Sequence, residues 1–294
     1  MEEALSPGPC PGSPVSMGGR STLIVASRAD PASMNIAERL IELHGLEPTD
    51  ALFEGSPIYA RGSVKLVFTA SEPIYAEHVG EALPEPPEAI IFASRHASAK
   101  GEPTLSTHTP GNLGFTAEHG GRPRELAWSE PLRMRAALLS LSEAGGKEAL
   151  RDYSICLEAT HHGPTGLSVP VLFVEIGSTP ERWTDPSAGE AVAEAIWRAA
   201  TRPSRARRAV GLGGGHYAPK LTAVAIETDL AIGHIVPRYA FQALGLDRWL
   251  VEEPVRRTWM GCEAVVVDKK GLRARERRFV ASVAEELGLE IVLV

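Results

Sequence analysis

Short apolar segments of strand length alternate with helical stretches along most of the chain. Ser21–Ser27 (STLIVAS) and Ala89–Ala93 (AIIFA) are apolar runs, whereas Pro131–Ala144 and Ala188–Thr201 carry apolar residues at helical spacing. This alternation is typical of βαβ units, in which helices cover the faces of a largely parallel sheet. We therefore predict an α/β protein with a three-layer α/β/α architecture and a mostly parallel or mixed sheet.

The remaining elements follow from hydrophobic periodicity. Further strands are predicted at Val64–Thr69, Ile74–His78, Tyr153–Leu157, Val169–Ile176, Ala209–Leu212, Ala223–Glu227, Ala264–Val267 and Glu290–Val294. Further helices are predicted from Ile36 to Gly45, and at Arg238–Leu244, Asp247–Trp259 and Leu272–Leu287.

At 294 residues the chain is short enough for a single domain, and we predict one catalytic domain with an N-terminal extension. Residues 1–20 are rich in Pro, Gly and Ser and lack apolar periodicity, which predicts a disordered N-terminal extension. Residues 21–294 show no repeat and no clear linker, which favours a single domain. The segment near 97–130 has little periodicity, and we predict that it is an irregular insertion that crosses a binding pocket.

The composition is ordinary for a soluble globular protein, with 44% hydrophobic and 23% charged residues. No run approaches the ~18 apolar residues of a membrane span, and no secretory signal pattern opens the chain. The three cysteines are widely spaced and form no CxxC pattern, which fits a reducing compartment. We predict a cytoplasmic protein without membrane association, as a monomer or a small homo-oligomer.

The charge distribution is uneven although the net charge is −7. Residues 198–278 contain 16 Lys and Arg against 8 Asp and Glu, a net charge of +8. The basic residues concentrate in Arg202–Arg208 and Lys269–Arg278. Such a distribution can mark a phosphate-binding face on an acidic protein, but from charge alone solvated helix surface is the favoured interpretation.

A strand that ends in titratable side chains suggests the catalytic site. Tyr153–Leu157 is followed by Glu158, then by His161 and His162 in a loop rich in Gly and Pro. Ligands of open α/β sheets bind beyond the carboxyl ends of the strands. Because neighbouring side chains of extended backbone point to opposite faces, the two histidines are expected to have different roles unless the loop turns between them.

Other histidines and carboxylates occupy comparable positions. His96 ends one predicted strand, Glu175 ends another, and His108, His216 and His234 lie in loops or near strand ends. We predict acid–base roles for His161, His162, Glu158, His96 and Glu175. Imidazole and carboxylate groups also suit zinc, with His96, His161, His162, Glu158 and His216 as candidate ligands. No HExxH motif is present, so a metal-free site in which a glutamate orients a histidine base stays open.

A glycine-rich loop and several polar residues are candidates for substrate binding. The backbone N–H groups of Gly213, Gly214 and Gly215 could bind an oxyanion. The loop matches neither a P-loop nor a dinucleotide-binding motif, and no GxSxG motif is present. The other candidates are Ser94, Arg95, His108, Thr109, Asn112, His216 and Tyr217. Arg257 and Trp259 are most simply a surface and a core residue, respectively.

Five segments in order along the chain resemble the archaeal and plant type of D-aminoacyl-tRNA deacylase. They are Ser94-Arg95-His96, His108-Thr109-Pro110-Gly111-Asn112, Glu158-Ala159-Thr160-His161-His162-Gly163-Pro164, Phe173-Val174-Glu175-Ile176-Gly177-Ser178 and Gly213-Gly214-Gly215-His216-Tyr217. The resemblance extends from about Thr22 to the C-terminus. It implies a phosphorylase/hydrolase-like α/β fold, dependence on zinc, and hydrolysis of the ester that joins a D-amino acid to tRNA.

Aminoacylated tRNA would then be the substrate, and free tRNA and a D-amino acid would be the products. Two other enzyme classes stay open on the residues alone. In a nucleoside phosphorylase-like enzyme, Arg95 and the glycine loop would bind phosphate, and turnover would require it. A zinc-dependent peptidase or amidohydrolase would act on small substrates without RNA. A tRNA-binding protein without catalytic activity would not need the clustered histidines and glutamates.

Overall fold

The computed structural model describes residues 21–98 and 100–294. The predicted extension at residues 1–20 lies outside the described residues. In the described part, the helices are α1 (Pro31–His44), α2 (Pro131–Gly145), α3 (Pro180–Trp183), α4 (Pro186–Thr201), α5 (Pro219–Glu227), α6 (Arg238–Leu244), α7 (Trp249–Arg256) and α8 (Ala274–Glu286). None of these helices has the length and apolar character needed to cross a membrane.

Fourteen strands are present in the described ranges. They are β1 (Thr22–Ser27), β2 (Glu47–Phe53), β3 (Ser56–Arg61), β4 (Val64–Thr69), β5 (Ala89–Ala97), β6 (Thr104–His108), β7 (Gly111–Asn112), β8 (Glu125–Leu126), β9 (Ser154–Leu157), β10 (Val171–Ser178), β11 (Arg207–Leu212), β12 (Leu230–Val236), β13 (Ala264–Val267) and β14 (Glu290–Leu293).

The strands form two main sheets, and β7 and β8 pair as a short ribbon. The eight-stranded large sheet has the order β2-β3-β4-β1-β5-β10-β6-β9, and the four-stranded small sheet has the order β12-β11-β13-β14. The large sheet is mixed, because β6 runs antiparallel to β10 whereas β10, β5, β1 and β4 are parallel. The small sheet is parallel throughout. The predicted α/β class with a mixed sheet is confirmed.

The apolar residues pack into a core that includes both sheets. One cluster joins α1, α2 and α4 to residues of both sheets, among them Ile24 of β1 and Ile232 of β12. A second cluster lies between the small sheet and α6, α7 and α8. Strands buried on both faces are continuously apolar, which is why β1, β5 and β10 could be recognised from the sequence.

Several elements differ from the sequence prediction, which also lacked α3, β7, β8 and β12. Ala223–Glu227 belongs to helix α5, which begins at Pro219, and not to a strand. The segment predicted as a strand at Ile74–His78 forms 3₁₀ turns beginning at Pro73 and Glu77. Strands β2 and β3 form a hairpin. The sequence did not predict it, because most residues of β2 are exposed and show no apolar alternation.

Strand β6 was missed for a different reason. It lies within the segment predicted as an irregular insertion, yet it pairs with both β10 and β9 in the large sheet. All five of its residues are buried, although its sequence TLSTH is largely polar. Of its polar side chains, Thr107 donates to the carbonyl of Phe173, and His108 belongs to the candidate site described below.

Candidate active site

A cavity of about 1060 Å³ opens where the two sheets approach each other. An isolated bridge between Glu158 and Tyr217 connects the end of β9 with the loop after β11 at this place. Seven titratable residues, which we call the His/Glu cluster, lie together at this cavity: His96, His108, Glu158, His161, His162, Glu175 and His216. Five of them line the cavity, whereas His108 and Glu158 are fully buried behind its surface.

Glu158 lies at the centre of the His/Glu cluster and is fully buried. Its Oε2 atom is 2.9 Å from Nε2 of His216, 3.2 Å from Nδ1 of His96 and 3.8 Å from Nε2 of His161. Burial alone would raise the pKa of Glu158, but the hydrogen bonds from His216 and His96 hold it well below its usual range. The carboxylate is therefore ionised at neutral pH.

Glu175 and His108 lie on neighbouring strands, β10 and β6. Oε2 of Glu175 is 3.5 Å from Nδ1 of His96 and 3.7 Å from Nε2 of His108. Burial opposes ionisation of Glu175, yet contacts with His108 and His96 lower its pKa to about 2. His96 thus lies between two carboxylates, which overcome the effect of its burial and raise its pKa to about 11.

His161 and His162 both face the cluster, because the chain turns between them. His162 has a φ of 46°, a conformation that is uncommon for residues other than glycine. The two rings lie 4.3 Å apart, and the ring of His108 is 4.3 Å from His161 and 4.9 Å from His162. The expectation of opposite faces for extended backbone does not apply to this pair.

Backbone carbonyl groups set the tautomers of these two histidines. Nδ1 of His161 donates to the carbonyl of Ala159 at 2.8 Å, and Nδ1 of His162 donates to the carbonyl of Gly163 at 2.6 Å. Desolvation is the largest contribution that lowers the pKa of both imidazoles well below its ordinary value. Both rings are therefore neutral, and each has a lone pair on Nε2, the form in which histidine binds a metal.

His234 lies beside the His/Glu cluster and braces it. Its Nε2 donates to the carbonyl of Ala127 at 3.1 Å, and its Nδ1 is 3.1 Å from the hydroxyl of Thr160, which precedes His161. Burial without an ionic partner lowers the pKa of His234 to about 3. Although His234 lies near a strand end like the cluster histidines, both of its ring nitrogens contact groups outside the cluster.

The predicted substrate-binding residues occupy different places. Ser94, Arg95, Asn112, Gly215, His216 and Tyr217 line the cavity. Thr109 is buried against Ser129, and the N–H of Gly213 already donates to the carbonyl of Val236. Gly213, Gly214, Thr109 and the deeply buried His108 do not line the cavity, and neither do Arg257 and Trp259, which contact Trp128.

The sequence analysis missed several residues of the cavity wall: Asp30, Glu72, Lys100, His119, Tyr239, Ala243 and Leu244. Asp30 had a recognisable signal, because Asp before Pro31 at the end of a strand is typical of a helix N-cap. Its side chain accepts from the backbone N–H groups of Ala32 and Ser33. Tyr239 and Leu244 gave no such signal, since α6 reads as an ordinary amphipathic helix.

The donor atoms of the His/Glu cluster fit a divalent metal ion. Three groups have ligand atoms within 4.8 Å of one another: His96, Glu158, His161 and His216; His108, His161 and His162; and His108, Glu158 and Glu175. Both ring nitrogens of His108, Oε1 of Glu158 and Oε2 of Glu175 are buried without a hydrogen-bond partner in the described structure. Unpartnered buried polar atoms are costly, and a metal ion would satisfy them.

The two basic segments lie at opposite ends of the strands of the small sheet. Arg202–Arg208 precedes and enters β11, whereas the glycine loop and the cavity follow β11 at its other end. A strand of this length separates them by roughly 17–20 Å. Lys269–Arg278 follows β13, which is parallel to β11, so it begins at the same end as the glycine loop. Only the second segment therefore begins at the cavity end of the small sheet, although none of its residues lines the cavity.

A family model described as D-aminoacyl-tRNA deacylase matches residues 83–292. The chain is 42% identical to the D-aminoacyl-tRNA deacylase of Thermococcus onnurineus over 92% of this chain and 98% of that protein. It is 35% identical to the D-aminoacyl-tRNA deacylase of Methanosarcina mazei over 95% of this chain and 94% of that one. A crystal structure of a conserved protein of unknown function is similar, with a TM-score of 0.84 and 34% identity over 94% of this chain and 95% of that chain.

Proposed function

The chain belongs to the D-aminoacyl-tRNA deacylase family, and we propose that its His/Glu cluster hydrolyses the ester between a D-amino acid and tRNA. The products are free tRNA and a D-amino acid, so the protein removes mischarged D-amino acids before they enter translation. The observation that carries this assignment is that two ionised carboxylates and five histidines form one cluster, of which Glu175 and four histidines line a single cavity.

We further propose that the metal is zinc. His161, His162, Glu158 and His216 would hold it, and His108 and Glu175 are within reach. His96, also a predicted ligand, lies between Glu158 and Glu175 as a cation and would instead act on Tyr217. The support is the chemistry of the donor set and the neutral tautomers of His161 and His162, since zinc prefers imidazole and carboxylate ligands. When bound, zinc supplies Lewis acidity toward water and the ester carbonyl.

The protein groups have separate tasks in this proposal. Glu175 lines the cavity and has an unpartnered oxygen, so it accepts a proton from the attacking water and returns it to the leaving ribose oxygen. Glu158 is fully buried and orients His96 and His216. The cationic His96 donates from Nε2 to the hydroxyl of Tyr217, which leaves the proton of that hydroxyl free to donate to the developing oxyanion.

The test compares D-Tyr-tRNA and L-Tyr-tRNA side by side, with and without a chelator. We expect rapid release of D-tyrosine, slow release of L-tyrosine, and loss of the D activity on chelation that zinc restores. Glu175→Gln should reduce kcat by about 10²–10⁴-fold if it handles the proton. Equal cleavage of both esters would contradict the assignment, whereas full activity of metal-free protein would contradict zinc alone.

The two other enzyme classes are not favoured. A phosphorylase-like role for Arg95 lacks support, because its guanidinium is 3.1 Å from a carboxylate oxygen of Glu72 and lies over the ring of Trp183. Family membership weighs against a peptidase or amidohydrolase of small substrates.

A further inference from the structure

The cavity has two walls of different character. Helix α6 contributes Tyr239, Ala243 and Leu244, with Leu113 beside them, and these residues form an apolar wall. Tyr239 is 48% exposed, although it is a large aromatic residue. The rest of the lining includes Glu72 and Glu118 along with Arg95 and Lys100, whose four charges balance. The α6 wall therefore offers an exposed aromatic ring with aliphatic neighbours for a planar group.

A group of exposed cations lies beside the α6 wall, at the end of the small sheet where the glycine loop lies. We call it the basic rim: Arg238, Lys269, Lys270, Arg273 and Arg275. The N–H of Arg238 donates to the carbonyl of Gly214, which ties α6 to the glycine loop. Gly271 packs so closely on the backbone of Gly214 that an added Cβ would lie 2.2 Å from its nitrogen. The turn that carries the lysines is therefore next to the cavity mouth.

The side chains of the basic rim are available for an anionic partner. None of the five forms an ion pair with a described residue, in contrast to Arg207 and Arg208 at the opposite end, which pair with Glu290 and Glu263. The rim also includes the first turn of α8, whose N-terminus adds a positive partial charge. A polyanion that enters the cavity from this side would meet cations first and an aromatic surface next.

We propose that the 3′ end of tRNA crosses the basic rim and that its terminal adenine stacks on the α6 wall at Tyr239. This inference rests on the proposed function and specifies how its substrate binds. Single-stranded nucleic acids bind by this combination of a positively charged path for the backbone and aromatic residues for the bases. The ester on the terminal ribose would then reach the His/Glu cluster on the cavity floor.

The rim is tested by charge reversal with a matched control at the opposite end of the small sheet. Lys270→Glu with Arg275→Glu changes the rim, and Glu at position 275 suits the first turn of α8, so folding should be preserved. Arg202→Glu with Arg205→Glu makes the same change of charge on exposed residues far from the cavity. We expect the rim variant to raise KM for D-Tyr-tRNA about tenfold, to flatten its salt dependence and to leave kcat unchanged. The control should stay within about twofold of wild type.

A second substrate separates the adenine site from the phosphate path. Adenosine esterified with D-tyrosine carries no phosphate, so the rim variant should hydrolyse it with an unchanged KM. Tyr239→Ala should raise KM for both substrates by about 5- to 100-fold, because stacking of one base is lost. Tyr239→Phe keeps the ring and should resemble wild type.

The outcomes distinguish this inference from the proposed function. If wild-type protein hydrolyses D-Tyr-tRNA but the two charge-reversal variants behave alike, the basic rim is not the path of the tRNA. If Tyr239→Ala leaves KM unchanged, the adenine does not stack there. If wild-type protein hydrolyses neither D-Tyr-tRNA nor the adenosine ester, the proposed function fails. The affinities of the two charge-reversal variants for uncharged tRNA then still decide whether the rim binds RNA.

Discussion

The hydroxyl of Tyr217 lies 2.9 Å from Nε2 of His96, and this contact joins the two sheets across the cavity floor. His96 belongs to β5 in the large sheet, whereas Tyr217 follows β11 of the small sheet. A second connection of the same kind is the hydrogen bond that Nε2 of His216 donates to Oε2 of Glu158 at 2.9 Å. The His/Glu cluster is therefore assembled only when both sheets are in place.

Replacing Tyr217 with Phe tests the role of this contact. The ring keeps its packing, but the hydroxyl that His96 directs toward the cavity is lost. We expect kcat to fall by about 10²–10³-fold with little change in KM, because an oxyanion donor acts in the transition state. Thermal unfolding should change little. A variant with normal kcat would show that the hydroxyl only supports His96.

Substitution of the paired histidines provides the next test. His161→Ala and His162→Ala should each reduce kcat by about 10²–10⁴-fold, because both rings face the cluster. His78→Gln is a suitable control, since His78 is part-exposed and pairs with Glu54 far from the cluster. Circular dichroism should show that all three variants are folded. Full activity of either alanine variant would assign that histidine a structural role.

The sequence predicted the class of the fold and most of the cluster, but not the way in which it is assembled. The apolar strands β1, β5 and β10 were identifiable because buried parallel strands leave a continuous apolar signal. In a single parallel sheet, as expected from the sequence, the carboxyl ends of the strands would bring the side chains of the cluster together. Instead β6 runs antiparallel to β10, so His108 at the end of β6 meets Glu175 in the middle of β10.

Long-range contacts account for what the sequence could not supply. The deep position of His108 depends on β6, whose polar residues hid the strand. The neighbouring orientation of His161 and His162 depends on a left-handed backbone conformation at a residue other than glycine, for which a sequence has no clear signal. The cavity wall from α6 depends on how the small sheet packs, which no local pattern encodes.

Metal binding can be measured independently of activity. Protein purified without added metal should contain stoichiometric zinc, and chelation should lower its melting temperature, because a ligand that binds only the folded state stabilises it. Added zinc should restore the melting temperature of wild-type protein but not that of His161→Ala, which lacks a proposed ligand. Mg²⁺ should not substitute, since it prefers oxygen ligands. An identical melting temperature with and without chelator would contradict the metal site.

Acid stability tests the brace formed by His234. Its neutral ring bonds to Ala127 and Thr160, and its pKa is about 3 in the folded protein, whereas the ordinary value is 6.5. The unfolded chain therefore takes up this proton first as the pH falls. The stabilisation is fully present above about pH 6.5 and is lost progressively between about pH 6.5 and 3, with a slope of about 1.4 kcal/mol per pH unit for one proton.

His234→Gln removes this titration and keeps groups that can bond to Ala127 and Thr160. The free energy of unfolding, measured with urea at several pH values between 4 and 7.5, should therefore depend less steeply on pH in the variant. The variant will be less stable than wild type at pH 7.5, and the difference should shrink as the pH falls, because only the wild type loses the contribution of His234. Parallel curves for the two proteins would mean that His234 accepts a proton in the folded state, and the neutral brace on Thr160 would then be wrong.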